Sequence, residues 1–347
     1  MRWRDYRQKI LSTVDARAFY TDELDKRKLR YSQRGNELKG QCPFTELHLD
    51  GQDNNPSFTI NLYSGVYFCN ACGSKGNLHT FYRWSRGLDK VQAWYELGDA
   101  LGLERPVDAD TRPAIDPALP VKWHRALMAK EGPIRDVLRE SRGLSDETLR
   151  RFQIGWDGER VTIPIYDEFA ELVNIRRHKW NSYEGNTKMI NYEDEVGNTY
   201  GEGRIYGIEH LFNEEVKEIY WCEGEWDRLV LEQWGLPACT TTTGAGNFRA
   251  EWLRLLRNKQ VINICYDNDE AGKRATAYLV DNLRNGPKLR VIKWPEDWPD
   301  KFDVTDVYTQ KEYSVEQFKA LFDPVNEEAQ LPVVHLAASS NARYAGK

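Results

Sequence analysis

Apolar positions in the first forty residues fall at Ile10, Leu11, Val14 and Phe19 among many charges, a helical spacing. The texture changes at Gln41, where Gly, Pro, Asn and Asp gather. SFTINLYSGVYFC (residues 57–69) then reads as two short strands about a Ser-Gly turn. NLHTFYRW and residues 91–103 return to helical spacing. Residues 104–120 carry four prolines and several acids, which bars a helix interior and reads as a linker. Helical patterns follow at residues 123–128 and 134–140. Ser145 opens another helix, with Asp146 and Glu147 in its first turn. Residues 161–180 are strand-like and end in RRHKW. Beyond them strands and helices alternate. KEIYWCEGE is a strand, WDRLVLEQWG a helix, ACTTTTGAG a strand and turn, and FRAEWLRLLRN a helix. VINICYDNDEAG is a buried strand breaking into an acidic turn, KRATAYLVDNLRN a helix and LRVIKWP a strand. That alternation predicts a parallel α/β sheet.

Composition narrows the class. The chain has 347 residues, room for about two domains or three small ones. Hydrophobic residues at 40% and charged residues at 29% exclude a disordered chain. The mean hydropathy is −0.70. No apolar run approaches the roughly 18–20 residues of a membrane span, and MRWRDYRQKI has no signal-peptide core. The expected setting is therefore a reducing cytoplasm, without a membrane. The six cysteines fit it, being too few and too uneven for a disulfide framework. A net charge of −6 argues mildly against a coat for duplex nucleic acid, yet leaves room for a local basic groove. Some of the twelve tryptophans could serve as stacking platforms.

Two groups of residues carry chemistry. Cys42, His48, Cys69 and Cys72 stand in the spacing C-x5-H-x20-C-x2-C, with the second pair on a turn after a strand. Three thiolates and one imidazole make a closed tetrahedral Zn²⁺ site whose role is structural or recognitional. Asp50, Asp53 and His79 are alternatives to His48 as fourth ligand. Cys222, Cys239 and Cys265 read as core residues. The second group is acidic. Glu223 follows IYWC, Asp267 and Asp269 follow VINICY, and Asp303 and Asp306 lie in KFDVTDVY. Carboxylates at the ends of neighbouring strands repel one another unless cations sit between them, and such oxygen sites suit Mg²⁺. Gly244 and Gly246 would let backbone approach a phosphate. Asp227 caps the following helix or supports the site.

In order, these motifs resemble a known family. CPF, PSF and YFC-x2-C-x3-GN, then EGEWD, DNDEAG and KFDVTD, are similar to DnaG-type primases, with a phage-type flavour. The last three resemble the acidic motifs of the TOPRIM domain. RGLSDETLRRFQIG, IPIYD, RRHKW, KMIN and RIYGIEHL resemble the basic subdomain that precedes it. The family's usual His directly after C-P-F is Thr45 here, and the loop before PSF is longer, so His48 stands as a shifted ligand. The implied fold is multidomain α/β. It comprises a small N-terminal β zinc-ribbon module (1–103), a linker (104–121), a mixed α+β basic subdomain (122–212), a Rossmann-like TOPRIM α/β domain with a parallel sheet (213–323) and a tail (324–347).

The resemblance implies DNA primase activity, which is template-directed synthesis of short RNA primers from ribonucleoside triphosphates on single-stranded DNA. It makes Glu223 the catalytic glutamate, a general base for the attacking 3′-hydroxyl or an acid linked to the Mg²⁺ or Mn²⁺. Asp267 and Asp269 would hold Mg²⁺ or Mn²⁺ on the triphosphate, and Asp303 would support a second ion. Arg176, Arg177 and Lys188, interleaved with His178 and Trp180, would hold nucleotide or template. Tyr67, Phe68, Lys75 and His79 are candidates for template contact by the zinc module. The linker would let that module move. The sequence holds no P-loop of the G-x4-G-K-[ST] kind, so a separate replicative helicase is the expected partner, and LPVVHLAA (residues 331–338) is a candidate docking segment. A phage or mobile element in a bacterial cell is the implied source. The competing readings are a non-catalytic single-stranded-DNA-binding replication adaptor and a TOPRIM nuclease.

Overall fold

The computed structural model describes residues 1–48, 50–109, 112–129, 133–179, 188–244 and 248–325. Two helices, Trp3–Thr13 and Ala16–Lys26, open the chain. Asp15 caps the second by accepting from the backbone N–H groups of Arg17 and Ala18. The helical expectation for the first forty residues ends there. Tyr31–Arg34 (β1) and Glu37–Gly40 (β2) form a hairpin instead. Gly35 supplies the positive φ, 60°, that its tight turn requires. Phe58–Asn61 (β3), Val66–Cys69 (β4) and Lys75–Gly76 (β5) complete an antiparallel sheet in the order β1-β2-β3-β4-β5.

Register divides the faces of that sheet. Leu38, Ile60 and Tyr67 are paired across neighbouring strands and fully buried. They pack with Tyr6, Ile10, Tyr20, Leu24, Phe81 and Trp94 into the module's own core. One residue along, Ser32, Lys39, Thr59, Phe68 and Lys75 form a row on the opposite face.

Helix Ala118–Met128 begins inside the stretch read as linker. Pro120 stands in its first turn, where a missing N–H costs nothing. Helix Asp146–Arg151 follows Ser145, whose side chain accepts from the Thr148 N–H at 3.2 Å, as the cap pattern predicted. Gly155–Trp156 (β6), Val161–Tyr166 (β7), Leu172–His178 (β8) and Met189–Asn191 (β9) make a four-stranded antiparallel sheet. Trp180 lies outside the described residues, as do Gly246 and residues 326–347 with the proposed docking segment.

The third sheet runs β10-β12-β11-β13-β14-β15. It comprises Ile205–Tyr206 (β10), Glu218–Cys222 (β11), Ala238–Thr241 (β12), Val261–Cys265 (β13), Lys288–Ile292 (β14) and Phe322–Pro324 (β15). Its four middle strands are parallel, with an antiparallel strand at each edge. The chain passes from β11 to β12 on one side and then returns to β13 on the other. The ends of β11 and β13 therefore mark the switch point where open α/β sheets bind their ligands. Helix Glu225–Gln233 is buried along nearly its whole length. Trp226 on this helix meets His178 of β8 edge-on at 5.3 Å, which joins the two sheets. Among the described residues no helix is long and apolar enough to cross a membrane.

Candidate catalytic and metal centres

Parallel strands bring the acidic motifs together. Glu223 follows β11, and one of its carboxylate oxygens accepts from the Asp267 backbone N–H, just past β13, at 3.4 Å. Asp269 caps helix Glu270–Leu283, accepting from the Gly272 N–H at 2.7 Å. Gly272 is required there, since an added Cβ would lie 2.1 Å from the Asp267 carbonyl oxygen. Asp303 caps helix Val304–Thr309 and accepts from the Asp306 N–H at 2.7 Å. Asp306 returns the bond at 3.3 Å, a capping role.

Asp227 is the residue whose weight the sequence understates. It is buried in the first turn of its helix. One carboxylate oxygen accepts from the Thr305 N–H at 3.1 Å and hydroxyl at 2.8 Å, and the other accepts from the Gly224 N–H at 3.2 Å. It thereby ties the loop holding Glu223 to the helix start holding Asp303. The readable signal was its place four residues after Glu223, on the turn that faces the strand end.

The electrostatics show what the cluster lacks. Burial, then the charges of Asp227, Glu223, Asp303 and Asp269, push Asp267 up to about 9. Burial and Asp227 lift Asp303 to about 8. Glu223 is raised by burial and by Asp269 and Asp227. One Asp267 oxygen is buried without a hydrogen-bond partner. Buried carboxylates whose charged forms are disfavoured at Asp267, Asp303 and Glu223, with one Asp267 oxygen unengaged, fit a divalent cation.

The thiol cluster is separate. The donor atoms of Cys42, His48, Cys69 and Cys72 all lie within 4.8 Å of one another, and all four residues are buried. The turn after β4 is a tight knuckle. Gly73, at φ 79°, donates to the Cys69 carbonyl at 2.8 Å, and the Cys72 N–H points at the Cys69 sulfur at 3.5 Å. Hydrogen bonds from Cys42 and Cys72 hold the Cys69 thiol far below its ordinary value, while the same contacts push Cys42 far up. Three thiols that cannot ionise together without a cation suit zinc. The alternatives to His48 are otherwise engaged. Asp53 accepts from the Cys42 N–H at 2.6 Å and from the Ser57 hydroxyl at 2.9 Å, Asp50 is exposed, and His79 contacts Glu171.

The basic candidates do not form one surface. Alternation along β8 sends Arg176 and Arg177 to opposite faces. Arg176 donates to Glu225 at 2.8 Å and to Asn191 at 2.8 Å, and is 12% exposed, so it braces the helix after Glu223. Arg177 donates to Asp157 at 2.6 Å. Lys188 is exposed. Of the zinc-module candidates, Tyr67 and His79 are buried and cannot meet a template. Phe68 and Lys75 are half-buried in the open row, with the Lys75 ammonium 3.9 Å from the Tyr166 ring centre.

Comparison with known proteins agrees with this division. Residues 7–113 match the CHC2 zinc finger model and residues 220–304 match a Toprim-like model. The chain is similar to the DNA primase of Haemophilus influenzae, at 23% identity over 89% of this chain and 60% of that protein. It is also similar to that of Pseudomonas putida, at 26% identity over 90% and 57%. It thus spans about 60% of the length of the curated relatives it matches. Its fold resembles the zinc-binding and RNA polymerase domains of the Aquifex aeolicus primase, with a TM-score of 0.60 and 18% identity over 92% of this chain and 85% of that one. With a CHC2 zinc finger first and a Toprim-like domain after it, the chain has the arrangement of the DnaG-type primases.

Proposed function

We propose that the chain is a DNA primase, a nucleotidyltransferase that starts RNA on single-stranded DNA. The observation that carries this reading is the acidic cluster at the strand switch point, where burial and neighbouring carboxylates, Asp227 foremost, raise Asp267 and Asp303. Glu223, its proton affinity raised, is suited to accept the proton of an attacking 3′-hydroxyl. Asp267 and Asp269 would hold Mg²⁺ or Mn²⁺, with Asp303 supporting a second ion. When bound, such ions supply positive charge to the triphosphate oxygens. Asp227 holds the two loops at fixed spacing, and much of the rate comes from that positioning.

Cys42, His48, Cys69 and Cys72 are the proposed zinc ligands. Beside them, Ser32, Lys39, Thr59 and Phe68 of the open row offer a polar strip with one cation and one aromatic ring, the chemistry that single-stranded nucleic acid needs, while Lys75 is turned onto the Tyr166 ring. Lys188 is a candidate phosphate contact. Arg176 and Arg177, being ion-paired, act by bracing the site. Ribonucleoside triphosphates, the single-stranded template and a replicative helicase are the proposed partners.

The test is a primer-synthesis assay with mixed-sequence single-stranded DNA, labelled ribonucleotides and Mg²⁺ or Mn²⁺, with Glu223→Gln alongside. Short RNA from the wild type alone supports the reading. Equal product from both overturns the role of Glu223. No product with DNA bound and intact favours the adaptor, and DNA cut without ribonucleotides favours a nuclease.

A further inference from the structure

Residues 294–302, WPEDWPDKF, lead from β14 to Asp303 and run alongside the turn that carries Asp267 and Asp269. Asn268, between those two acids, commits three polar groups to this segment. Its backbone N–H donates to the Phe302 carbonyl at 2.9 Å, and its side-chain amide donates to the Pro299 carbonyl at 3.1 Å. Its own carbonyl accepts from the Lys301 N–H at 2.8 Å. On the other side of Asp267, the Tyr266 carbonyl accepts from the Trp294 indole N–H at 3.1 Å. The residues before and after Asp267 are thus both gripped by one segment, and that segment ends against Asp303.

The segment is itself stiff. The Trp298 ring centre lies 4.8 Å from that of Phe302 and 6.0 Å from that of Trp294. Trp298 also meets Tyr313 edge-on at 5.6 Å, and the Lys311 ammonium lies 5.0 Å from its ring centre. Trp298 and Phe302 are buried. Pro295 and Pro299 fix φ at two of its positions. Lys301 stands at φ 64°, a left-handed conformation that is unfavourable for a lysine and persists only where the surroundings hold it. Here its N–H is engaged by Asn268 and the next residue, Phe302, is packed among the rings.

Ring packing would hold the segment in place without either polar grip. What the grips add is a fixed spacing between the Asp267 turn and the start of helix Val304–Thr309, where Asp303 stands. Spacing and rigidity decide which cation an oxygen site takes. Mg²⁺ is small and demands near-ideal octahedral geometry, whereas Ca²⁺ accepts more oxygens at longer and looser distances. We propose that Asn268 and Trp294 are positioning residues that hold Asp267 and Asp303 rigidly enough to favour Mg²⁺ over Ca²⁺. They act through the backbone on which the acids stand. The inference rests on the metal centre proposed above and adds which residues set its choice of cation.

The test is calorimetric titration of the zinc-loaded full chain with Mg²⁺ and, separately, with Ca²⁺. Wild type is compared with Asn268→Ala, Trp294→Phe and the double variant. Trp294→Phe keeps an aromatic ring and removes only the donor, so it keeps the test open should Asn268→Ala fail to fold. The ratio of Mg²⁺ to Ca²⁺ affinity is expected to fall about threefold in each single variant and about tenfold in the double, the scale of one or two hydrogen bonds. The metal-free melting temperature of Trp294→Phe should stay near that of wild type. An unchanged ratio overturns the proposal, and so does an equal loss of both affinities, which is what a merely structural role gives. A wild type that binds neither cation sinks the metal centre itself, and the positioning role falls with it.

Discussion

Two clusters of buried charge lie in this molecule and are built on opposite plans. Around Glu171 and Asp167, Arg7 and the Trp94 indole meet the carboxylates with hydrogen bonds, and Arg7 holds Glu171 down against its burial while burial lifts Asp167. Around Asp267, Glu223, Asp227, Asp269 and Asp303 add the same sign again, and although Arg142 acts against it on Asp227 and Asp303, Asp267 and Asp303 stay raised. Burial alone does not tell them apart, since both are shielded by packed elements. Completion does. A cluster that satisfies itself serves structure, whereas one left in debt of positive charge is arranged for something that arrives.

The plans can be told apart by mutation. Glu223→Gln, in the incomplete cluster, is expected to lower primer synthesis by about 10³-fold, the scale of a lost acid–base group, with single-stranded DNA binding kept within twofold. A binding titration run beside the synthesis assay checks both. Glu171→Ala, in the other cluster, leaves Arg7 with Asp167 alone and should cost about 1.5–3 kcal/mol of folding stability, read from denaturant unfolding followed by tryptophan fluorescence. A loss below about 0.5 kcal/mol would make that cluster an ordinary surface network.

A smaller effect comes from His178, which ends β8 against Trp226. Burial, and then the charges of Lys188, Arg142 and Arg160, lower it to about 3. Its folded value lies below the unfolded value of about 6.5, so the unfolded chain binds the extra proton between them. Its contribution is full above about pH 6.5 and is lost as pH falls toward 3. Between pH 7 and pH 5 the loss is about 2 kcal/mol. His178→Gln should flatten the stability profile over that interval, and an unchanged slope would assign it to other groups.

Much of this was legible in the sequence. The strand ends that carry Glu223 and Asp267 were visible because buried parallel strands are continuous apolar runs that break abruptly into acids. The thiol cluster was legible from spacing, since two cysteines two apart define a knuckle. Side-chain direction was harder. Arg176 and Arg177 read as one basic patch, but period-two alternation parts them, and their partners Glu225 and Asp157 are distant in sequence. Tyr67 and His79 read as surface candidates because nothing in the chain order shows that Tyr67 faces the core or that His79 meets Glu171. The β1–β2 hairpin was missed because only Leu38 of its strand residues is a buried hydrophobic one, too little to set a period. The contacts of Arg7 with Asp167 and Glu171 were missed for a related reason. Proline in residues 104–120 shows where a helix cannot run, not how tightly the segments it joins are held.

The central claim is that the one-sign cluster awaits a divalent cation. Thermal unfolding of the metal-free catalytic centre, with zinc retained, tests it most directly, with Mg²⁺ added to the wild type and to Asp267→Asn. The account predicts that Asp267→Asn is more stable than the metal-free wild type at neutral pH, by roughly 1–3 kcal/mol, because the native state no longer has to keep a buried carboxyl protonated far above its ordinary range. It also predicts that Mg²⁺ raises the wild-type transition as a ligand of the native state must, and raises the variant far less. A wild type indifferent to Mg²⁺, or a variant destabilised as Glu171→Ala should be, would contradict it.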